Sequence, residues 1–281
     1  MVDQDGDHGQ VIEDEQKLVR KMAPHLQKVM IVDSATSSAR MLAEHMRGIS
    51  PGQTFHATDG KTALSMAGTV EPQLIFVDIG ADHSDGIDLI RKIRRSYTAC
   101  RKAPIIAIIS QPTAELIMAA RDSGVHEFLR KPYNTRDLLR RLEAVTLRQR
   151  EWVEAMQYVG PDRRRFNSGD YSGSLKRKSD LEVSDQSRID QALRIIKSSL
   201  LAIGADPAQA LRSLRAQAEI LKTSGPKVGN TVLTEAASVF HEFLVDATEN
   251  GVLNPRDTLV KAGPLLALLP KDEPRPVAKA S

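Results

Sequence analysis

Leu74-Ile-Phe-Val-Asp78 sets four apolar residues in a row and ends them on an acid. A short run that is apolar at every position reads as a strand covered on both faces of its sheet. Comparable β-branched runs lie on either side of it: Val29-Met-Ile-Val32, Gln53-Thr-Phe-His-Ala57, Ile105-Ile-Ala-Ile-Ile109 and Val125-His-Glu-Phe-Leu129. Between them apolar residues fall at helical spacing, from Ala39 to Met46, Thr62 to Ala67, Ile87 to Ile93 and Ala114 to Ala120. A last such stretch runs from Thr135 through Leu138, Leu139, Leu142 and Val145. Five strands alternating with five helices predict an α/β fold: a doubly wound, five-stranded parallel sheet with helices on both faces.

The chain around this block has 281 residues, 41% of them apolar, which is enough to build a core. No apolar run approaches the ~20 residues that span a bilayer, so no membrane insertion is expected. Asp3, Asp5 and Asp7 follow Met1 in place of a basic segment and an apolar one, so no secretory signal is expected. The single cysteine, Cys100, excludes an internal disulfide framework and suits a reducing cytoplasm. The first 15 residues carry six acids and no Lys or Arg, and residues 1–25 are expected to be a disordered acidic arm. The regular pattern then occupies 26–150. Residues 151–186, rich in Gly, Ser and basic triplets, read as a linker. Helical spacing returns over 187–269 through Ile189, Leu193, Ile196, Leu211, Leu214, Val239 and Phe243, predicting three or four helices in a small all-α region. Residues 270–281, with Pro270, Pro274 and Pro276, read as a disordered tail.

In an open parallel sheet, ligands gather outside the carboxyl ends of the strands. The first strand ends in Asp33-Ser34, the third in Asp78, the fourth in Ser110 and the fifth in Lys131-Pro132. This ordered set of acid, acid, hydroxyl and lysine resembles the receiver domain of bacterial response regulators, over about residues 26–150. The resemblance implies that Asp78 accepts a phosphoryl group from a sensor histidine kinase or phosphotransfer protein. It implies that Asp33 and Asp78 hold Mg²⁺, and that Ser110 and Lys131 bind the phosphoryl oxygens. Phe128 takes the aromatic switch position, and Asp85-Gly86 matches the pair that follows the phosphoacceptor loop. The family's signalling surface is formed by its fourth helix, fifth strand and fifth helix. A carboxylate attacking an anionic phosphate needs a divalent cation and a lysine to offset repulsion, which explains the residue types.

Two positions depart from the family pattern. Ser34 stands where receivers usually carry a second acid, and a neutral hydroxyl is a poorer Mg²⁺ partner. Ala81-Asp82 replaces the common Met-Pro pair, and Asp82 is a candidate source of the missing oxygen. The alternative on the same residues is a pseudo-receiver in which Asp78 and Lys131 only form an ion pair.

The formal charge is +3, from 39 basic and 36 acidic side chains. The whole excess lies in residues 148–180, where eight basic side chains face five acidic ones. Four of the eleven aromatic residues, Trp152, Tyr158, Phe166 and Tyr171, interleave with this segment. Arginine forks suit phosphate oxygens, and guanidinium planes stack on bases. Arg163, Arg164 and Arg165 therefore form a candidate anion site, similar to the arginine-rich tails by which some receiver-like proteins bind cyclic di-GMP. The competing reading is a solvated basic linker, with Trp152 and Tyr158 packed beside the last receiver helix. The helical region is electrically neutral and lacks a basic recognition helix, which disfavours DNA. His241 lacks the surroundings of a phosphotransfer histidine, and no nucleophile–base pair or metal set suggests an enzyme. These readings converge on a cytoplasmic, non-enzymatic response regulator whose helical region contacts a downstream protein.

Overall fold

The computed structural model describes residues 15–80, 84–148, 150–163, 185–249 and 253–269. They form two units, one holding the described residues up to Val153 with those from Tyr158 to Arg163, the other Glu154–Gln157 with those from Asp185 on.

The first unit begins with a helix over residues 15–22 (α1). Five strands and five helices then alternate: β1 (Lys28–Val32), α2 (Thr36–Ile49), β2 (Gln53–Ala57), α3 (Gly60–Val70), β3 (Leu74–Ile79) and α4 (Ser84–Arg95). They continue as β4 (Ile105–Ile109), α5 (Ala114–Ser123), β5 (Glu127–Arg130) and α6 (Thr135–Thr146). The sheet is wholly parallel, in the order β2-β1-β3-β4-β5. Chain order therefore reverses between β1 and β3, and a crevice opens there beyond the carboxyl ends.

Period-two alternation sends successive strand residues to opposite layers. Met30, Val32, Ile75, Val77, Ile105 and Ala107 join one apolar cluster, which α3, α4 and α5 cover. Val29, Ile31, Leu74, Phe76, Ile106 and Ile108 join the other, covered by α2 and α6. Phe76 has no exposed surface, and each such fully buried side chain contributes roughly 1.5–3 kcal/mol. Local signals start and stop the helices. Asp59 accepts from the Thr62 amide at 2.9 Å and Thr113 from the Leu116 amide at 3.2 Å. Asn134 and Asp137 form a reciprocal capping box, and Gly124 closes α5 at φ +100°, a left-handed conformation that favours glycine.

Two boundaries differ from the sequence reading. The acidic arm was expected to reach residue 25, yet α1 places Met22 in the core, with Leu18 and Val19 against it. Leu18, Met22 and Leu26 share one helical face, a spacing that the acids just before them mask. Residues 1–14 of that arm lie outside the described residues. The linker expected over 151–186 is in part a hairpin of β6 (Trp152–Glu154) and β7 (Val159–Pro161). Residues 164–184, with Arg164 and Arg165, lie outside the described residues, as do Asp82 and the tail from 270.

The second unit contains α7 (Asp185–Leu201), α8 (Pro207–Ser224), α9 (Thr231–Glu249) and α10 (Pro255–Leu266). Its core draws Leu193 and Ile196 from α7, Leu214 and Leu221 from α8, Phe240 and Leu244 from α9, and Leu265 from α10. A buried polar stripe on α8 binds Glu154. Gln217 Nε2 and Ser213 Oγ donate to the Glu154 carbonyl at 2.9 and 3.1 Å, and Gln209 Nε2 donates to its carboxylate at 3.1 Å. Every one of these partners is buried, so the polar groups are satisfied where water is absent.

Candidate functional site

The carboxyl ends of β1 and β3 border a cavity of about 730 Å³, lined among others by Asp33, Ser34, Asp59, Asp78, Gly80 and Asp85. Asp33 follows β1 directly, and its backbone still pairs with β2, the amide donating to Ala57 O at 3.1 Å. Its carboxylate is buried and turns back on the loop, Oδ1 accepting from the Ala35 amide at 2.8 Å. His56 Nε2 donates to the Asp33 carbonyl at 2.9 Å, which pins the residue from the β2 side. Asp78 sits within β3, paired with Ile108 of β4, so its position is set by the sheet.

Lys131 joins the two acids. It follows β5 and donates its amide to Ile109 O at 2.8 Å, which aims the side chain across the sheet. Its ammonium lies 2.6 Å from Asp78 Oδ1 and 3.3 Å from Asp33 Oδ2. Burial opposes charge on Lys131, but the hydrogen bonds and charges of Asp78 and Asp33 outweigh it and hold its pKa above the ordinary lysine value. The ammonium thus stays protonated at neutral pH. Three sequence-separated residues meet because parallel strands end at one edge, where Lys131 reaches past the end of β4.

Ser110 is exposed at the first position after β4, on the same edge as Asp78. Phe128 is half-buried within β5, opposite Ala107, and packs against the α3–α5 side of the core. Arg163 stands apart, at the end of the hairpin. Its guanidinium lies 2.5 Å from Asp122 and stacks on the Tyr158 ring at 3.7 Å, so it serves an intramolecular contact.

Among the described residues, no three His, Cys, Asp or Glu side chains form a metal-binding group. Two carboxylates, Asp33 and Asp78, do converge, close enough to share one ammonium. Mg²⁺ takes one or two carboxylates and completes its octahedron with water and phosphate oxygens. The pair and the open polar cavity fit that requirement, while Ser34 offers a hydroxyl in place of a third charge.

Sequence reasoning missed a second cluster, at the opposite end of the sheet. Arg94, the last-turn arginine of α4, is buried and donates to the carbonyls of Gly124, Arg101 and Ala103 at 2.7–2.8 Å. Burial pulls its pKa down to about 9, still high enough to stay charged at neutrality. His126 Nδ1 accepts from Arg94 Nη2 at 3.1 Å and from the Ile105 amide at 3.2 Å. Burial first, and then Arg94 and Arg150, drive the His126 pKa well below the ordinary value, so the ring is neutral. The one available signal was a helix-terminal arginine at a position spaced for the core.

Residues 29–143 match the model of the response regulator receiver domain. Over 124 residues the chain is 30% identical to the transcriptional regulatory protein PdtaR of Mycobacterium tuberculosis, covering 44% of this chain and 58% of that protein. It is 27% identical over 118 residues to the chemotaxis protein CheY-3 of Vibrio cholerae, covering 42% of this chain and 90% of that protein. The crystal structure of Vibrio cholerae CheY4 covers 43% of this chain and 98% of its own, at 23% identity and a TM-score of 0.40.

Proposed function

Residues 29–143 being a response regulator receiver domain, we propose that this protein takes a phosphoryl group on Asp78 and relays its presence to a protein partner through the helical unit. The observation that carries the reading is the convergence of Asp78, Asp33 and Lys131 at the switch point of the sheet, with Lys131 at 2.6 and 3.3 Å from the two acids. An ion pair alone would serve as well on a closed surface, but the two acids border an open cavity of about 730 Å³.

The donor is a phosphohistidine of a sensor kinase or phosphotransfer protein, or a small acyl phosphate. A carboxylate oxygen of Asp78 forms the new bond to phosphorus as the bond to the donor imidazole nitrogen, or to the acyl oxygen, breaks. The electron pair leaves with the donor, and an imidazole leaving group takes its proton from solvent. The resemblance to receiver domains implies Mg²⁺, and here Asp33 and Asp78 would hold it, offsetting phosphate charge during transfer. Lys131, already held at the Asp78 carboxylate, moves its charge to the incoming phosphoryl oxygens. Ser110, on the adjacent strand end, donates its hydroxyl to the same group, and Phe128 answers the rearrangement. Asp33 keeps Lys131 anchored on its other side. No helix among the described residues is long and apolar enough to cross a membrane. The helical unit acts through contacts, without chemistry of its own.

The test is incubation of the full chain with acetyl phosphate and Mg²⁺, followed by intact mass. One added phosphoryl group is expected, absent from Asp78→Asn. No adduct, or the same adduct in the variant, would overturn the reading.

A further inference from the structure

Strand β5 is gripped at both ends. At its carboxyl end, Lys131 is tied to Asp78 and Asp33. At its amino end, Glu127 is buried and holds two arginines, Arg141 of α6 at 3.1 Å and Arg150 at 2.5 Å. The two grips are about 13 Å apart, at 3.3 Å per strand residue. β5 lies at the edge of the sheet and pairs with β4 alone, so it is anchored by fewer backbone bonds than β1, β3 or β4.

Arg150 opens a segment that docks on the amino end of β5 and its neighbours. The Trp152 ring is approached by the Arg94 guanidinium at 5.3 Å and that of Arg101 at 5.9 Å. Farther along, Gly160 faces Gly124 so closely that a Cβ on Gly160 would lie 2.8 Å from the Gly124 Cα and from the Tyr158 hydroxyl. Arg163 closes the segment on Asp122 at 2.5 Å. Arg94, which meets Trp152, belongs to the helix whose first turn borders the phosphoacceptor cavity at Asp85, about 14 Å away at 1.5 Å per residue. One strand and one helix thus each touch both the acid pocket and the docked segment.

We propose that residues 150–153 and 158–163 are an intramolecular ligand of the receiver whose docking is weakened when Asp78 carries a phosphoryl group. The inference rests on the phosphoacceptor reading and concerns how that site is regulated. When Lys131 follows the phosphoryl oxygens, β5 shifts with it. Glu127 lies on the same four-residue strand, so the Arg150 grip loses its geometry. Charge-assisted bonds this short depend steeply on alignment. The chain runs on from this segment into the helical unit, so its release alters the stem from which the helices continue.

Trp152 is the chain's one tryptophan and reports the docking directly. The full chain is treated with acetyl phosphate and Mg²⁺, with mass reading the phosphorylated fraction and emission reading Trp152. A red shift that grows with that fraction, and is absent in Asp78→Asn, is expected. Gly160→Ala, which lies outside the acid pocket, should show the shifted emission before any phosphodonor is added. Because coupling is reciprocal and is commonly worth 5-fold or more, this variant should need about fivefold less acetyl phosphate for half-maximal labelling. Full labelling with unchanged emission would overturn the inference and leave the phosphoacceptor reading intact. So would shifted emission in Gly160→Ala with unchanged labelling. No labelling of Asp78 would remove both.

Discussion

His126 should make the receiver unit lose stability as the solution becomes mildly acidic. Its Nδ1 accepts from Arg94 and from the Ile105 amide, and burial keeps the ring neutral well below the ordinary histidine pKa. The unfolded chain takes up a proton on this residue near pH 6.5, whereas the folded chain does not. The unfolded state therefore binds more protons, and stability rises with pH through this window and falls as pH is lowered. One proton corresponds to about 1.4 kcal/mol for each pH unit below about 6.5, until the folded-state pKa is reached. For a unit of this size that is a fall in Tm of roughly 3–5 °C per pH unit. Thermal or denaturant unfolding followed by Trp152 emission at pH 7.5, 6.5 and 5.5 measures it. His126→Asn retains an oxygen to accept both N–H groups and removes the titrating ring, so its profile should be flatter by the one-proton slope. Parallel profiles for the two proteins would refute the reasoning, since they would mean that His126 ionises in place.

Two further outcomes follow from the packing and charge. Ser34→Asp restores a third carboxylate at the cavity edge, and Mg²⁺ affinity, read by NMR titration, should rise about tenfold, equal to about 1.4 kcal/mol; an unchanged affinity would show that this position does not face the cation. Phe240→Ala empties a fully buried site in the helical unit, and its helical melting transition should fall by about 3–5 kcal/mol; a shift of under 1 kcal/mol would mean that the bundle collapses around the missing ring.

The β-branched runs at 29–32, 74–77 and 105–109 identified the strands directly, because a strand covered on both faces must be apolar at successive positions. The same logic made the proposed phosphoacceptor set visible: Asp33, Asp78 and Lys131 each lie at or beside the carboxyl end of an apolar run, and parallel strands bring such ends to one edge. Where the structure departs from the expectation, the deciding partners are distant in sequence. Arg150 and Arg163 looked like a solvated basic linker, yet they close on Glu127 and Asp122, 23 and 41 residues away. Leu18 and Met22 were hidden beside an acidic run, and only the presence of a core beside them makes α1 a packed helix.

The sequence by itself determined the α/β alternation and the order of acid, acid, hydroxyl and lysine near the carboxyl ends of the strands. Those features depend on local periodicity and on which residue type ends each run. Only the tertiary structure decided what the basic excess does. Charge count cannot distinguish an arginine left in water from one docked on a buried glutamate, because the difference lies in where the chain returns. Here it returns to the amino end of β5, placing Arg150 on Glu127 and Trp152 beside Arg94.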